Sequence, residues 1–331
     1  MPVQGKLIVW ILCLALLLCA CAEQQPQRIS GKAFGTSYSL VIAEADPPEL
    51  EPLKQAVDAR LKAIDASMSS WREDSELSRF QRQPVGKWVE ISPGLAGVFF
   101  RSRLVYQRTR GAFDPSLGPL IRLWGFQGEK RANPPPADEV TAALARIGFD
   151  SLELRGNHAR RTRPIEINLS AIAKGYAVDA LAILLREEDI DNFLVEIGGE
   201  LVTSGSRFDE PWRVAIEAPS NTGREPQRLL YLREGALATS GSYRNYFESG
   251  GKRYQHILDP KTGYPADNGV VSVSVLARDC ATADAYATAF MLLGKKSLPL
   301  AQRQGLEVLI LLEENGELTS LASEGFPKPV E

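Results

Sequence analysis

The feature that most limits the fold of this chain is its rhythm. After residue 30, short apolar runs and helical stretches follow one another at uneven intervals. An even strand–helix–strand beat would build a doubly wound parallel sheet; the uneven one favours the α+β class. Strands are expected at Tyr38–Ala43, Leu152–Leu154, Ile165–Asn168, Phe193–Ile197, Trp212–Ile216, Leu229–Leu232, Leu237–Thr239, Val270–Leu276 and Val308–Leu312. Leu53, Val57, Leu61, Ile64 and Met68 recur at steps of three and four, which predicts one helix over Leu50–Met68. Asp74 or Ser75 caps a short helix at Glu76, and Ser92-Pro93 opens a helix that runs to Arg108. Further helices are expected over Asp138–Ile147, Ser170–Leu185, Ala281–Leu293 and Lys295–Gly305, with Gly111–Pro119 as a loop.

The first residues stand apart from this pattern. Met1–Lys6 is a short, weakly basic start, and Leu7–Leu18 is an apolar run of signal-peptide length, too short for a comfortable membrane span. Leu18-Cys19-Ala20-Cys21 reads as a bacterial lipobox with Cys21 as the lipidated first mature residue. The expected organisation is a signal peptide over 1–20, a lipidated Cys and polar tether over 21–30, and one large folded domain over 31–331. The chain would then be anchored to a membrane of the cell envelope rather than spanning it. Ala22 follows the Cys where Asp would signal inner-membrane retention, so the choice of membrane stays open. Cleavage before Cys21 leaves two cysteines, and with Cys21 lipidated Cys280 stands alone, so no disulfide framework replaces a hydrophobic core. A formal charge of −3 and the lack of any basic run argue against nucleic acid.

Several segments carry chemistry. Asn168–Asp179 reads as a Ser-led helix start bearing Lys174, Gly175 and Asp179. Unpaired N–H groups at such a start suit phosphate, and Lys174 adds a point charge. Ile172, Tyr176, Ala180, Ile183 and Leu184 are expected to form its packing face. Asp284 and Thr288 lie four apart, on one side of a helix, and offer hard oxygen donors for a cation such as Mg²⁺. A solvated Asp beside a back-bonded Thr is the plainer alternative. His256 precedes an Asp259-Pro260 turn and is a candidate general base, with Asp259 beside it. Gly198-Gly199 is not the three-glycine dinucleotide fingerprint, and Ser240 lacks the strand–turn–helix setting of a nucleophile elbow. Thr239, Ser240 and Ser242 could donate to phosphate or hydroxyl oxygens.

Ser69–Phe80, Gly111–Pro115, Ala171–Asp179, Gly198-Gly199, Thr239–Tyr243, His256–Pro265 and Asp284–Thr288 together resemble the ApbE family of FAD:protein FMN transferases. They occur in family order from about Phe34 to Gly294. The resemblance implies a T-fold-like α+β architecture with mixed or antiparallel sheets packed with helices. It also implies Mg²⁺-dependent transfer of FMN from FAD to a Thr or Ser hydroxyl of an acceptor protein, releasing AMP. Acceptors would be flavoprotein subunits of membrane redox complexes, on the periplasmic side of the inner membrane.

Carried over by position, Asp284, Thr288 and the main-chain carbonyl of Ala171 are metal ligands. Phe34, Trp71, Ala112, Phe113, Asp114, Asn168, Lys174 and Leu258 are flavin-nucleotide contacts, and His256 activates the acceptor hydroxyl. His256, Asp284 and Lys174 form the catalytic set. Phe34 stands where the family usually has Met, and Asn168 where Asp is frequent, which removes a negative charge near the metal. The alternatives are a Mg²⁺-dependent FAD pyrophosphatase yielding FMN and AMP, and a non-catalytic FAD-binding lipoprotein.

Overall fold

The computed structural model describes residues 24–219, 226–243, 245–314 and 316–329. Cys21 and the expected signal peptide lie outside these described residues. Among the described residues no helix is long and apolar enough to cross a membrane.

The frame is an eight-stranded antiparallel sheet. Its spatial order is β1 (Gln27–Ala33), β2 (Thr36–Ile42), β6 (Phe193–Ile197), β7 (Glu200–Ser204), β10 (Gly235–Gly241), β13 (Val270–Ala277), β14 (Glu307–Glu314) and β15 (Glu317–Ala322). A small sheet joins β3 (Val89–Glu90), β4 (Leu152–Arg155) and β5 (His158–Arg161), and two ribbons pair β8 (Trp212–Glu217) with β9 (Pro226–Leu232) and β11 (Tyr246–Ser249) with β12 (Lys252–Gln255). The α+β expectation holds, with antiparallel pairing throughout the named strands. The folded domain begins earlier than residue 31. Gln27–Ser30, expected in the tether, pair with Ser39–Ile42 as the sheet's edge strand.

Helices α1 (Leu50–Met68), α6 (Ala173–Glu187) and α7 (Cys280–Leu293) pack in one hydrophobic core with the inward residues of the sheet. Helix α1 has the expected limits, and its five apolar repeats are the five buried residues. Each fully buried side chain of this size contributes roughly 1.5–3 kcal/mol, so the face fixes the helix on the core. Ser75 caps α2 (Glu76–Gln81) by accepting from Ser78 N–H, and Ser92 caps α3 (Pro93–Arg108) by accepting from Leu95 N–H. On the opposite face of the sheet, Val214, Ile216, Leu230 and Leu232 of the β8–β9 ribbon pack on Leu201, Leu237, Leu309 and Leu311. A third cluster gathers Leu120 and Trp124 at the end of α4 (Gly118–Leu123), Val140 and Ala143 of α5 (Ala137–Leu144), and Leu258.

Three expectations are corrected. Ile165–Asn168 is not a ladder strand: Arg161 Nη1 donates to Ile165 O, Gln81 Oε1 accepts from Ile167 N–H, and Asn168 N–H donates to Pro115 O. Side chains and a loop satisfy this backbone in place of a neighbouring strand. Helix α6 starts at Ala173 rather than Ser170, with Ile172 at the cap position and no side-chain cap. Its buried set is wider than the expected stripe, and Ile183 is exposed, because α6 is covered by α7 as well as by the sheet. The segment Lys295–Gly305 is a 3₁₀ turn over Gly294–Ser297 followed by α8 (Leu298–Gln304).

Candidate active site

The crossing of α6 over the start of α7 organises the site. A Cβ on Gly175 would fall 2.6 Å from the carbonyl carbon of Cys280 and 2.8 Å from Ala281 Cα, both backbone atoms that cannot swing aside. The missing side chain therefore lets the two helices touch. At this contact Gly175 N–H donates to Asp284 Oδ2 (3.0 Å). One turn along, Asp179 accepts from Cys280 N–H (2.7 Å) and Ala281 N–H (2.9 Å), capping the first turn of α7 from outside. Burial raises the Asp179 carboxyl to about 6, although the two N–H donors pull it back. Lys174, Gly175 and Asp179 thus act at one helix junction.

Several N–H groups of the expected phosphate site at the start of α6 are committed within the protein. Leu169 O accepts from Ile172 and Ala173 N–H, and Gly175 N–H is committed to Asp284. The charge of Lys174 is held by carboxylates instead. Lys174 Nζ forms an ion pair with Glu200 Oε1, and Glu200 Oε2 is buried with no partner. Burial works against the Lys174 ammonium, but Glu200 and Asp284 outweigh it and hold its pKa above the usual lysine value. Burial raises Glu200 to about 7, with Lys174 opposing, and burial likewise pushes Asp284 above the ordinary carboxylate range.

These groups open into a cavity of about 400 Å³. Ala171, Lys174, Asp284, Thr288, His256, Trp71, Ala112, Phe113, Asp114, Asn168 and Leu258 all line it. The expected metal ligands, Lys174, His256 and every expected flavin-nucleotide contact except Phe34 are therefore brought to one space. Phe34 lines an adjoining groove of about 820 Å³, which meets the cavity at Trp71, Ser170 and Lys174. Phe34 and Gly35 are the two-residue turn of the β1–β2 hairpin, and both have positive φ, 52° and 76°. That conformation suits Asn-Gly and costs a Phe roughly 1–2 kcal/mol. The hairpin tolerates this to place an aromatic ring at the groove.

Asp284 is 3 % exposed on α7, with Thr288 one turn further and Ser240 Oγ 3.2 Å from Thr288 Oγ1. Among the described residues no three His, Cys, Asp or Glu side chains gather as a metal cluster. The available donors are one carboxylate, one hydroxyl and a main-chain carbonyl, all hard oxygen. Glu200, whose Oε2 is buried without a hydrogen-bond partner, belongs to the lining of the same cavity. This set fits Mg²⁺, which keeps several waters and needs few protein ligands, better than a softer metal.

His256 Nδ1 lies 3.1 Å from Asn245 O. A carbonyl only accepts, so Nδ1 carries the proton and Nε2 keeps its lone pair. Burial lowers the His256 pKa below 6.5, and nearby Lys174 lowers it further, so the ring is neutral at pH 7. Asp259, the second candidate base, does not line the cavity; its Oδ1 accepts from Lys261 N–H and its carbonyl from Gly263 N–H, which fixes the turn.

Several lining residues also hold the walls. Asn168 Oδ1 accepts from Ser170 N–H, its Nδ2 donates to Gln127 Oε1, and Gln127 Nε2 donates to Ser70 O. Asp114 accepts from Ser116 N–H (2.7 Å), and burial pushes its carboxyl up. Ser242 donates to Val271 O, and Thr239 pairs with Ser274, so neither hydroxyl is uncommitted.

Glu200 and Gln127 were missed from sequence. Glu200 carries a usable signal: a charged residue opening the apolar run Glu200-Leu-Val after a Gly-Gly turn, where strand alternation points it inward.

Comparison with known proteins follows the same lines. The ApbE family model matches residues 34–310. A Vibrio cholerae protein named FAD:protein FMN transferase is 38% identical over 325 residues, 96% of this chain and 97% of its own. A Haemophilus influenzae protein of that name is 36% identical, covering 98% of this chain and 99% of its own. The solved flavin transferase ApbE from Vibrio cholerae superposes with a TM-score of 0.84 at 35% identity, covering 91% of this chain and 98% of that one. With a shared fold, a match over most of its length and the motif residues gathered at one cavity, the chain belongs to the ApbE family.

Proposed function

We propose that this protein transfers FMN from FAD to a Thr or Ser hydroxyl of an acceptor flavoprotein, releasing AMP. The observation that carries the reading is the convergence of Asp284, Thr288, Ala171, Lys174, Glu200 and His256 on one cavity. A scavenging flavin carrier would have no use for buried, charge-opposed carboxylates beside a neutral histidine.

FAD has two ring systems joined by a pyrophosphate, and the cavity and the Phe34–Trp71 groove provide two connected spaces for them. The acceptor oxygen attacks the FMN phosphorus, the bond to the bridging oxygen breaks, and AMP leaves with that oxygen. His256 Nε2 takes the hydroxyl proton. Lys174, held in place by Glu200 at the cavity wall, would oppose the negative charge that grows on the phosphoryl oxygens. Asp284, Thr288 and the Ala171 carbonyl would hold Mg²⁺, which supplies charge stabilisation to those oxygens when bound. Gly175 N–H fixes the Asp284 carboxylate, and the Asp179 cap fixes the helix that carries it.

The apolar run Leu7–Leu18 followed by Cys21 supports a lipid-anchored enzyme on the periplasmic side of the envelope. A diacylated Cys21 at the mature N-terminus, read by mass, tests the anchor.

Incubation of the soluble domain with FAD, Mg²⁺ and an acceptor domain tests the activity. Metal-dependent gain of one FMN on Thr or Ser supports transfer; FMN and AMP without an adduct indicates the pyrophosphatase, and bound, unchanged FAD the carrier.

A further inference from the structure

Grooves adjoin the flavin cavity on more than one side, and a pair of them matters here. The first, at Trp71, Ser170 and Lys174, carries Phe34 and is taken up by the dinucleotide in the reading above. The second meets the cavity at Gly198, Thr239 and Tyr243. It measures about 890 Å³ and lies on the sheet face away from the helices, between the outer residues of β2 and β6 and the β8–β9 ribbon. Nothing in the flavin chemistry uses it.

Its wall has a specific character. All of Trp212–Glu217 line the groove, so both faces of β8 contribute, whereas β9 adds only Leu229 and Tyr231. A groove that touches both faces of one strand runs along that strand's edge. From Trp212 to Ile216, β8 pairs only with β9 among the described residues, and so it presents an unpaired row of N–H and C=O groups. Tyr231, Val41 and Leu194 leave apolar surface partly exposed along the floor and wall, while Arg28 and Glu196 add charges of both signs. These are the two requirements of strand addition: main-chain partners for affinity and side-chain contacts for selection.

A protein acceptor faces a physical problem that a small substrate does not. Its hydroxyl has to reach a cavity of about 400 Å³ bordered by buried groups, which a rigid folded surface cannot enter. An extended segment can. We propose that this groove receives the acceptor polypeptide as an extended strand added to the edge of β8, which delivers its hydroxyl past Gly198 and Tyr243 into the flavin cavity. The proposal rests on the flavin-transfer reading and names the partner surface of that site.

The test uses a library of synthetic peptides about ten residues long, each with one central Thr and random flanks, incubated with the protein, FAD and Mg²⁺. FMN adducts found by mass define a working peptide, and its kinetics are then measured. Ala215 is exposed on β8 and lines the groove, so Ala215→Trp fills the groove without entering the core. The expected result is a rise of about tenfold in KM for the peptide, with kcat and FAD affinity unchanged. N-methylation of alternate peptide amides, with wild-type enzyme, should raise KM by about the same factor, since edge addition needs those N–H groups. This second measurement does not depend on how the variant folds. Unchanged KM in both experiments, with adducts still forming, overturns the groove alone. Turnover of FAD with no adduct on any peptide overturns the transfer reading and the groove together.

Discussion

Gly175→Ala tests the helix junction most sharply. The added methyl would press on the Cys280 carbonyl group and sit 2.8 Å from Ala281 Cα, where ordinary contact begins near 3.4 Å. Neither neighbour is a side-chain tip, so α6 and α7 have to separate by several tenths of an ångström to about 1 Å along the crossing. Overpacking of this kind costs about 1–3 kcal/mol. The separation also stretches the Gly175–Asp284 bond and both Asp179 caps, and a lost helix cap costs about 1 kcal/mol. A total of about 3–5 kcal/mol follows, several degrees in melting temperature or more for a domain of this size. Urea unfolding of the soluble domain followed by circular dichroism gives the stability, and FMN transfer at a temperature where the variant is folded gives the chemistry. Transfer should fall further than folding explains, because Asp284 loses its orienting donor. A variant with wild-type urea midpoint and wild-type transfer would refute the junction's role.

Three other outcomes follow from the same geometry. Asp284→Ala should cut transfer by at least about 10²-fold while FAD binding, followed by flavin fluorescence, stays near wild type; wild-type turnover would remove Asp284 from the metal set. His256→Asn should slow transfer by about 10²-fold and abolish the acid limb of the pH profile, whose midpoint lies below 6.5 in the parent because burial favours the neutral ring. Asp179 has a folded pKa of about 6 against an ordinary 3.8, so its contribution to stability is complete below pH 4 and is lost as pH rises through 6. The loss is about 3 kcal/mol, and Asp179→Asn should flatten that part of the stability–pH curve measured by urea unfolding.

Local patterns were legible where one physical effect dominates. The five apolar steps of α1 gave its limits because a single face meets a single core, and Ser75 and Ser92 marked helix starts because capping is a local hydrogen bond. Ser170 has the composition of a cap, but Asn168 Oδ1 accepts from Ser170 N–H and α6 begins at Ala173. Ile165–Asn168 has strand composition, but Arg161 and Gln81 satisfy its backbone from afar, and no local pattern reports that. At the site, the motif residues pointed to one cavity, yet Glu200 gained its role only once β7 was set beside α6 and α7. Its partner Lys174 is 26 positions away in sequence, beyond the reach of any periodicity.

The fate of the flavin separates transfer from hydrolysis. Intact-mass measurement of an acceptor flavoprotein domain, incubated with the soluble enzyme and FAD with and without Mg²⁺, tests it directly. The account predicts one FMN per acceptor on a Thr or Ser, an equal amount of AMP, and neither without metal. AMP and unattached FMN in equal amounts, with the acceptor mass unchanged, would contradict it.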